Sequence, residues 1–260
     1  MEDKHWWFLG RRRIVREVIR TAVSLSPQDV VVDVGCGTGG NTAALAVDLP
    51  CIGMDPSLEA IQLAQERFPN VQFLCGDIHE QINRIKDSVG LFLLLDVLEH
   101  LPDDSRFFER ILNLAKSGAH LLLTVPANMT LWSEHDVSFG HYRRYTIESL
   151  QRLWAGLPVT ARLVSYYNSR LYPVVRATRA INRWRGGTKG LAGTDFRMPI
   201  QPLNDILENI FAGEAIVLMD VLMGRRPRGY STGVSLIALL RREGDKVTYA
   251  PDSFRRNTPL

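Results

Sequence analysis

Two stretches of the chain concentrate side chains that could do chemistry. The longer reads Trp132-Ser133-Glu134-His135-Asp136-Val137-Ser138-Phe139-Gly140-His141-Tyr142-Arg143-Arg144-Tyr145. An imidazole titrates near neutral pH, so a histidine here can take a proton from a hydroxyl or an amine. His135 is the first choice for that base and His141 the second. Asp136 can orient a neighbouring imidazole. Arg143 and Arg144, with Tyr145 beside them, can grip a carboxylate or phosphate. The competing reading is a lid whose aromatics pack down and whose charges are solvated. A polar segment of this length without periodicity, inside a compact domain, favours function. The shorter stretch is Asp96-Val97-Leu98-Glu99-His100. Its two carboxylates and one imidazole, Asp96, Glu99 and His100, could hold a divalent cation. The alternative is that the acids shape a pocket while His100 bonds a loop or serves as a third candidate base. On balance no metal is expected.

A third group is built from glycine. Val30–Val34 runs directly into Gly35-Cys36-Gly37-Thr38-Gly39-Gly40. A turn from a parallel strand into a helix is tight, and a ligand must come close to its backbone; glycine meets both demands. Gly35-x-Gly37-x-x-Gly40 also satisfies the dinucleotide fingerprint, so an NAD-dependent oxidoreductase is a rival reading. Asp33 argues against it, because a carboxylate two residues before the first glycine would repel a pyrophosphate and suits a cationic ligand or backbone donors. Asp55 closes Gly53-Met54-Asp55, at the interval expected of a ribose-binding acid, and Asp77 closes Cys75-Gly76-Asp77. Acids at the ends of three successive strands converge on one crevice, where open α/β sheets bind ligands.

These residues need strand ends to hold them, and the sequence supplies strands. Short apolar runs at 30–34, 51–54, 71–74, 90–95 and 120–125 alternate with helical patterns at 41–48, 57–68 and 104–115. That alternation predicts an α/β fold: a parallel, doubly wound sheet with helices on both faces. Thr146 is placed to cap a helix over 146–155. Strand character returns at 159–166 and 233–240. Residues 11–25 form an amphipathic helix ending before Pro27.

The ordered set Val-Val-Asp33-Val-Gly35-Cys-Gly37-Thr-Gly39, Gly-Met-Asp55-Pro-Ser, Cys-Gly76-Asp77 and Asp96-Val-Leu-Glu99-His100-Leu-Pro resembles the class I S-adenosylmethionine-dependent methyltransferases, across roughly 28–166 and again at 233–240. The resemblance implies a Rossmann-like seven-stranded sheet and S-adenosyl-L-methionine as cofactor. It implies that Asp33, Gly35, Cys36, Gly37 and Gly39 border the methionine part. Asp55 and Pro56 would then lie at the ribose, Asp77 and Ile78 at the adenine, and Asp96 and Val97 where donor meets acceptor. His5-Trp6-Trp7-Phe8 resembles the entry segment of a subset of these enzymes, which folds over the cofactor cleft; Trp6 and Trp7 would then line the acceptor pocket. A plain hydrophobic anchor for the N-terminal helix is the alternative.

The 260 residues carry 45% hydrophobic and 23% charged side chains, which excludes a disordered tail, a collagenous repeat and a disulfide-stapled miniprotein. A net charge of only +3 gives no reason to expect a nucleic-acid partner. The N-terminus lacks the apolar core of a signal peptide, and no run is long enough to span a membrane. Cys36, Cys51 and Cys75 are odd in number and lack metal-site spacing, which fits a reduced, cytoplasmic setting. The expected organisation is an N-terminal lid segment (1–27), the domain proper (28–242) and a tail (243–260). Inside the domain, 167–232 is an insertion with ten basic and five acidic residues, hence a local +5. It could cap the acceptor pocket, bury a face in a homodimer, or touch an anionic membrane as a basic amphipathic surface; the cap is preferred. The expected activity is methylation of a small-molecule acceptor, at oxygen rather than nitrogen. A noncatalytic S-adenosylmethionine-binding module is the second rival.

Overall fold

A computed structural model describes residues 2–82, 85–184 and 198–244. The expected tail beyond Gly244 and the basic residues Arg185, Lys189 and Arg197 of the insertion lie outside the described residues.

Seven strands form one sheet: β1 (Val30–Val34), β2 (Cys51–Asp55), β3 (Gln72–Cys75), β4 (Val89–Leu95), β5 (His120–Pro126), β6 (Val159–Tyr167) and β7 (Ser235–Arg242), in the spatial order β3-β2-β1-β4-β5-β7-β6. The first five are parallel, and β7 inserts antiparallel between β5 and β6. Strand order reverses between β1 and β4, which opens a crevice at their carboxyl ends. All seven residues of β4 are buried, because helices cover both faces of the sheet and no polar side chain is tolerated there.

The two faces are separate layers. Phe92 and Leu94 of β4 pack with Phe108 and Ile111 of α5 (Asp104–Leu114) and Leu150 of α7 (Ile147–Gln151). Leu91, Leu93 and Leu95 point the opposite way, against Ile14, Val15 and Val18 of α1 (Trp6–Ala22). The remaining helices along the cofactor half are α2 (Gly40–Ala46), α3 (Leu58–Arg67) and α4 (Ile78–Gln81).

Three local outcomes differ from the sequence reading. First, α1 starts at Trp6 rather than near residue 11. His5 caps it, its side chain accepting from the Trp7 amide at 3.2 Å, and Asn204 Oδ1 accepts from the Trp6 amide at 2.9 Å. The capping partner lies almost two hundred residues away, so the local pattern could not show it. Second, the polar stretch is not structureless. It contains the short helix α6 (Glu134–Ser138), whose Ser133 and Asp136 form a reciprocal capping box. Third, the insertion is helical as expected, with α8 (Tyr172–Trp184), α9 (Gln201–Ala212) and α10 (Ala215–Leu222), but α9 and α10 pack on α1. Phe211 meets Trp6 edge-on at 5.9 Å and stacks on Tyr167 at 5.7 Å. These helices hold the N-terminal helix to the sheet.

Candidate active site

The glycine loop follows β1 with positive φ at Gly35 (70°), Gly37 (54°) and Gly39 (80°). Gly40 is not among these residues; it begins α2. The backbone therefore uses a Gly-x-Gly-x-Gly turn, and the literal dinucleotide spacing ending at Gly40 is incidental. A side chain at Gly35 would collide with Val97, and one at Gly39 with Phe73. At Gly37 a Cβ would meet nothing within 4 Å, so this peptide faces open space where a ligand can approach.

Asp55 supports that loop from the end of β2. Its Oδ2 accepts from the Gly37 amide and its Oδ1 from the Ser57 amide, each at 2.9 Å. A carboxylate has about four acceptor positions, so two remain for a diol. Asp33 is buried, and Thr42 Oγ1 donates to its Oδ2 at 2.6 Å. Burial raises its carboxyl to about 6 against that hydrogen bond. The side chain ties the strand to α2 beneath the loop. Cys36 is buried as well, and desolvation raises its thiol, so only its backbone is available to a ligand. Pro56 continues the turn after Asp55; Asp77 caps α4, accepting from the His79 amide at 2.7 Å, while Ile78 turns into the core.

At the end of β4, Asp96 adopts φ 60° and is held from two sides. Arg11 of α1 forms an ion pair with its Oδ2, and Thr124 Oγ1 donates to its Oδ1 at 3.1 Å. The Arg11 guanidinium lies 4.4 Å from the Trp7 ring centroid. Trp7 is thus placed at the crevice by a cation-π contact, whereas Trp6 belongs to the α1–α9 junction. Val97 closes over Gly35, and a tight turn over Leu98–His100 buries Glu99.

The polar stretch returns over this turn, and the Tyr142 amide donates to the Glu99 carbonyl at 2.7 Å. Asp136, fully buried, orients His141 rather than His135: its Oδ1 lies 2.9 Å from His141 Nδ1. Arg144 Nε donates to the same oxygen at 2.8 Å. Burial opposes ionisation of Asp136, but the His141 hydrogen bond and the Arg144 charge outweigh it and hold the carboxyl well below its ordinary range. His100 and His141 are edge to face, 4.7 Å between centroids, while His135 leans on Phe139 and stands 6.3 Å from His141. Burial and the neighbouring His141 lower the His100 pKa, so its ring is neutral at pH 7.

The expected anion grip takes another form. Arg144 is buried on Asp136 and the Ala127 carbonyl, and Arg143 pairs with Asp104 at 2.6 Å. Tyr145 is buried, its hydroxyl donating to Asp104 Oδ2 at 2.7 Å. Arg143 and Tyr145 thus tie the lid to α5, while Arg144 ties it to α6 and to the backbone after β5. Sequence reasoning missed Arg11, because nothing near it marks a partner 85 residues on. It also missed Glu2, whose carboxylate accepts from Thr38 Oγ1 at 2.5 Å and pairs with Arg67 and Arg12. A recess of about 430 Å³ opens there, lined by Glu2, Asp3, Phe8, Thr38 and Arg67.

A crevice at a strand-order reversal, floored by a glycine turn and flanked by acids at successive strand ends, defines a nucleotide-type cofactor site on a Rossmann-like sheet. Residues 32–123 match the family model described as a methyltransferase domain. Over those residues the chain is similar to methyltransferase domains, and it has the Rossmann-like fold of S-adenosylmethionine-dependent methyltransferases. It is 32% identical over 130 residues to trans-aconitate 2-methyltransferase of Deinococcus radiodurans, an alignment covering 48% of this chain and 49% of that protein. The chain thus spans about half the length of such a curated relative. Among solved structures, the plantazolicin methyltransferase BamL, in complex with a desmethyl analogue and SAH, aligns with a TM-score of 0.54 at 14% identity, covering 90% of this chain and 86% of that one. The [4+2]-cyclase SpnF aligns at 0.53 and 18% identity, covering 89% and 81%. At such identities the likeness is one of fold.

Proposed function

We propose that this protein transfers the methyl group of S-adenosyl-L-methionine to a small-molecule acceptor, at oxygen. The observation that carries the reading is the open Gly37 peptide above Asp55, a cradle any side chain at Gly37 would fill. Gly35, Gly37 and Gly39 would border the methionine part and Asp55 the ribose hydroxyls, with Asp77 toward the adenine. The sulfonium methyl is a strong electrophile by itself, so the chain's task is to hold the acceptor in line with it. Glu99, His100 and His141 face one another beside the end of β4, and this cluster supports loss of the acceptor's proton there. The curated relative above is named for methylating trans-aconitate, a carboxylate, which supports an oxygen acceptor. The fold alone does not select the reaction, since a cyclase shares it.

Calorimetric titration of the full chain with S-adenosylhomocysteine and with NAD⁺ tests the cofactor. Binding of the first and not the second is expected; the reverse result would return the chain to the oxidoreductase reading. Radiolabel transfer from S-adenosylmethionine to a carboxylate and hydroxyl metabolite set then tests the reaction. Cofactor binding with no transfer to any acceptor in the set would favour a noncatalytic module.

A further inference from the structure

The cluster at the lid has a composition that proton transfer alone does not explain. Both Glu99 carboxylate oxygens are buried, and apart from the residue's own backbone N–H neither finds a hydrogen-bond partner. A buried, unpartnered carboxylate is costly unless something positive or a proton meets it. Arg11 and Arg144 lie nearby, but their guanidinium groups are engaged by Asp96 and Asp136. Asp96 adds a like charge beside Glu99, and two imidazoles face it: donor atoms of Glu99, His100 and His141 all lie within 4.8 Å of one another.

Each imidazole is also held from behind. His141 Nδ1 is engaged by Asp136, which leaves Nε2 as the nitrogen free to present a lone pair. His100 has a backbone hydrogen bond with Phe139. A ring nitrogen tied to a carboxylate or to backbone, with the second nitrogen left for a cation, is the outer-shell arrangement of metal-binding histidines. Arg144 in turn fixes Asp136 through two donors, so the orienting carboxylate is itself immobilised.

We propose that Glu99, His100 and His141 bind a divalent cation of the borderline first-row class, such as Zn²⁺ or Co²⁺. Two imidazoles and one carboxylate select that class over Mg²⁺ or Ca²⁺, which prefer oxygen donors throughout. Ligand atoms around a tetrahedral ion with bonds of about 2.0–2.1 Å stand about 3.4 Å apart, so rotamer adjustments of about 1 Å close the set. Asp96, the third member of the set read from sequence, is not a ligand, because Arg11 and Thr124 already hold it. His141 replaces it, arriving from the lid. Three protein ligands leave one coordination position open. If the methyl-transfer reading holds, the acceptor oxygen takes that position, the cation lowers the pKa of its hydroxyl, and the proton passes to solvent. The cation site itself does not depend on that reading.

The test needs neither acceptor nor cofactor. The full chain is stripped with a chelator and titrated with Co²⁺, followed by visible absorption and calorimetry. One equivalent should bind with a ligand-field band of low-symmetry, mixed nitrogen and oxygen coordination, and Zn²⁺ should displace it. Glu99→Gln and His141→Ala should each weaken binding by about tenfold or more, and Asp136→Asn by a similar factor through orientation. Circular dichroism and a cooperative thermal transition verify that each variant is folded; should Glu99→Gln fail to fold, His100→Ala takes its place. Absence of a stoichiometric Co²⁺ complex in the folded parent, or an isotherm unchanged in the folded variants, would overturn the proposal, whatever the cofactor titration shows.

Discussion

Asp33 carries a carboxyl raised by burial from 3.8 to about 6. A folded-state value above the unfolded one means that ionisation destabilises the fold; the penalty is absent below pH 4 and fully present above pH 6. Asp33→Asn keeps an acceptor for Thr42 and removes the charge. It should therefore stabilise the protein at pH 8, by up to about 3 kcal/mol, and not at pH 4, as thermal melts across that range would show. Gly37→Val probes the opposite balance. Its Cβ meets no protein atom within 4 Å, so beyond the cost of a β-branched residue at positive φ the substitution acts on the ligand. S-adenosylhomocysteine affinity should fall by more than tenfold, and a calorimetric isotherm like the parent's would remove Gly37 from the cradle. How much of this scale could be read in advance depended on reach. The glycines and the strand-end acids are legible because each is placed by its own strand and turn. The pairing of Asp136 with His141 was not, because both carboxylate oxygens are shared with Arg144 across a helix end whose direction only packing defines. Arg143, Arg144 and Tyr145 have the chemistry of an anion grip, but ion pairs and burial redirect it inward.

Helices and strands carry a second lesson. The strands and the helices beside them followed from β-branched runs, period and caps, since those elements are shaped by neighbours a few residues away. The N-terminal segment did not. Its first turn depends on Asn204, which is buried, accepts from the Trp6 amide and donates to the Lys4 carbonyl at 2.9 Å. Asn204→Ala leaves those groups without their partner, and chemical denaturation should show a loss of about 1–3 kcal/mol. Glu2, four residues before that first turn, clamps the segment to Thr38 and Arg67 over the glycine loop. Glu2→Ala should raise the association rate of S-adenosylhomocysteine in stopped flow by a few-fold, because burial and screening limit what one partly exposed ion-pair cluster contributes. An unchanged rate would mean that the segment does not gate entry.

At the level of the whole molecule, the +5 of the insertion suggested a surface for a pocket, a partner or a membrane. Among its described residues, two of three helices brace α1, and the apolar positions Phe211, Ala215 and Leu218 are buried in that task. A binding free energy that acts only on the folded state adds to stability, so saturating S-adenosylhomocysteine at a hundredfold over its dissociation constant should add about 2.7 kcal/mol. Glu2→Ala should retain that increment and Gly37→Val lose most of it, as thermal shift can show.

The bond between Trp6 and Asn204 joins positions 198 residues apart in sequence. A ribosome adds roughly 5–20 residues per second, so the helix made first waits on the order of ten seconds or more for the residue that caps it. During that interval Trp6 lacks Phe211, its edge-on partner, although Trp7 already has Arg11 one turn along. The clamp of Glu2 on Thr38 and Arg67 can form as soon as the first strands exist, whereas the fixed start of the helix behind it is completed late.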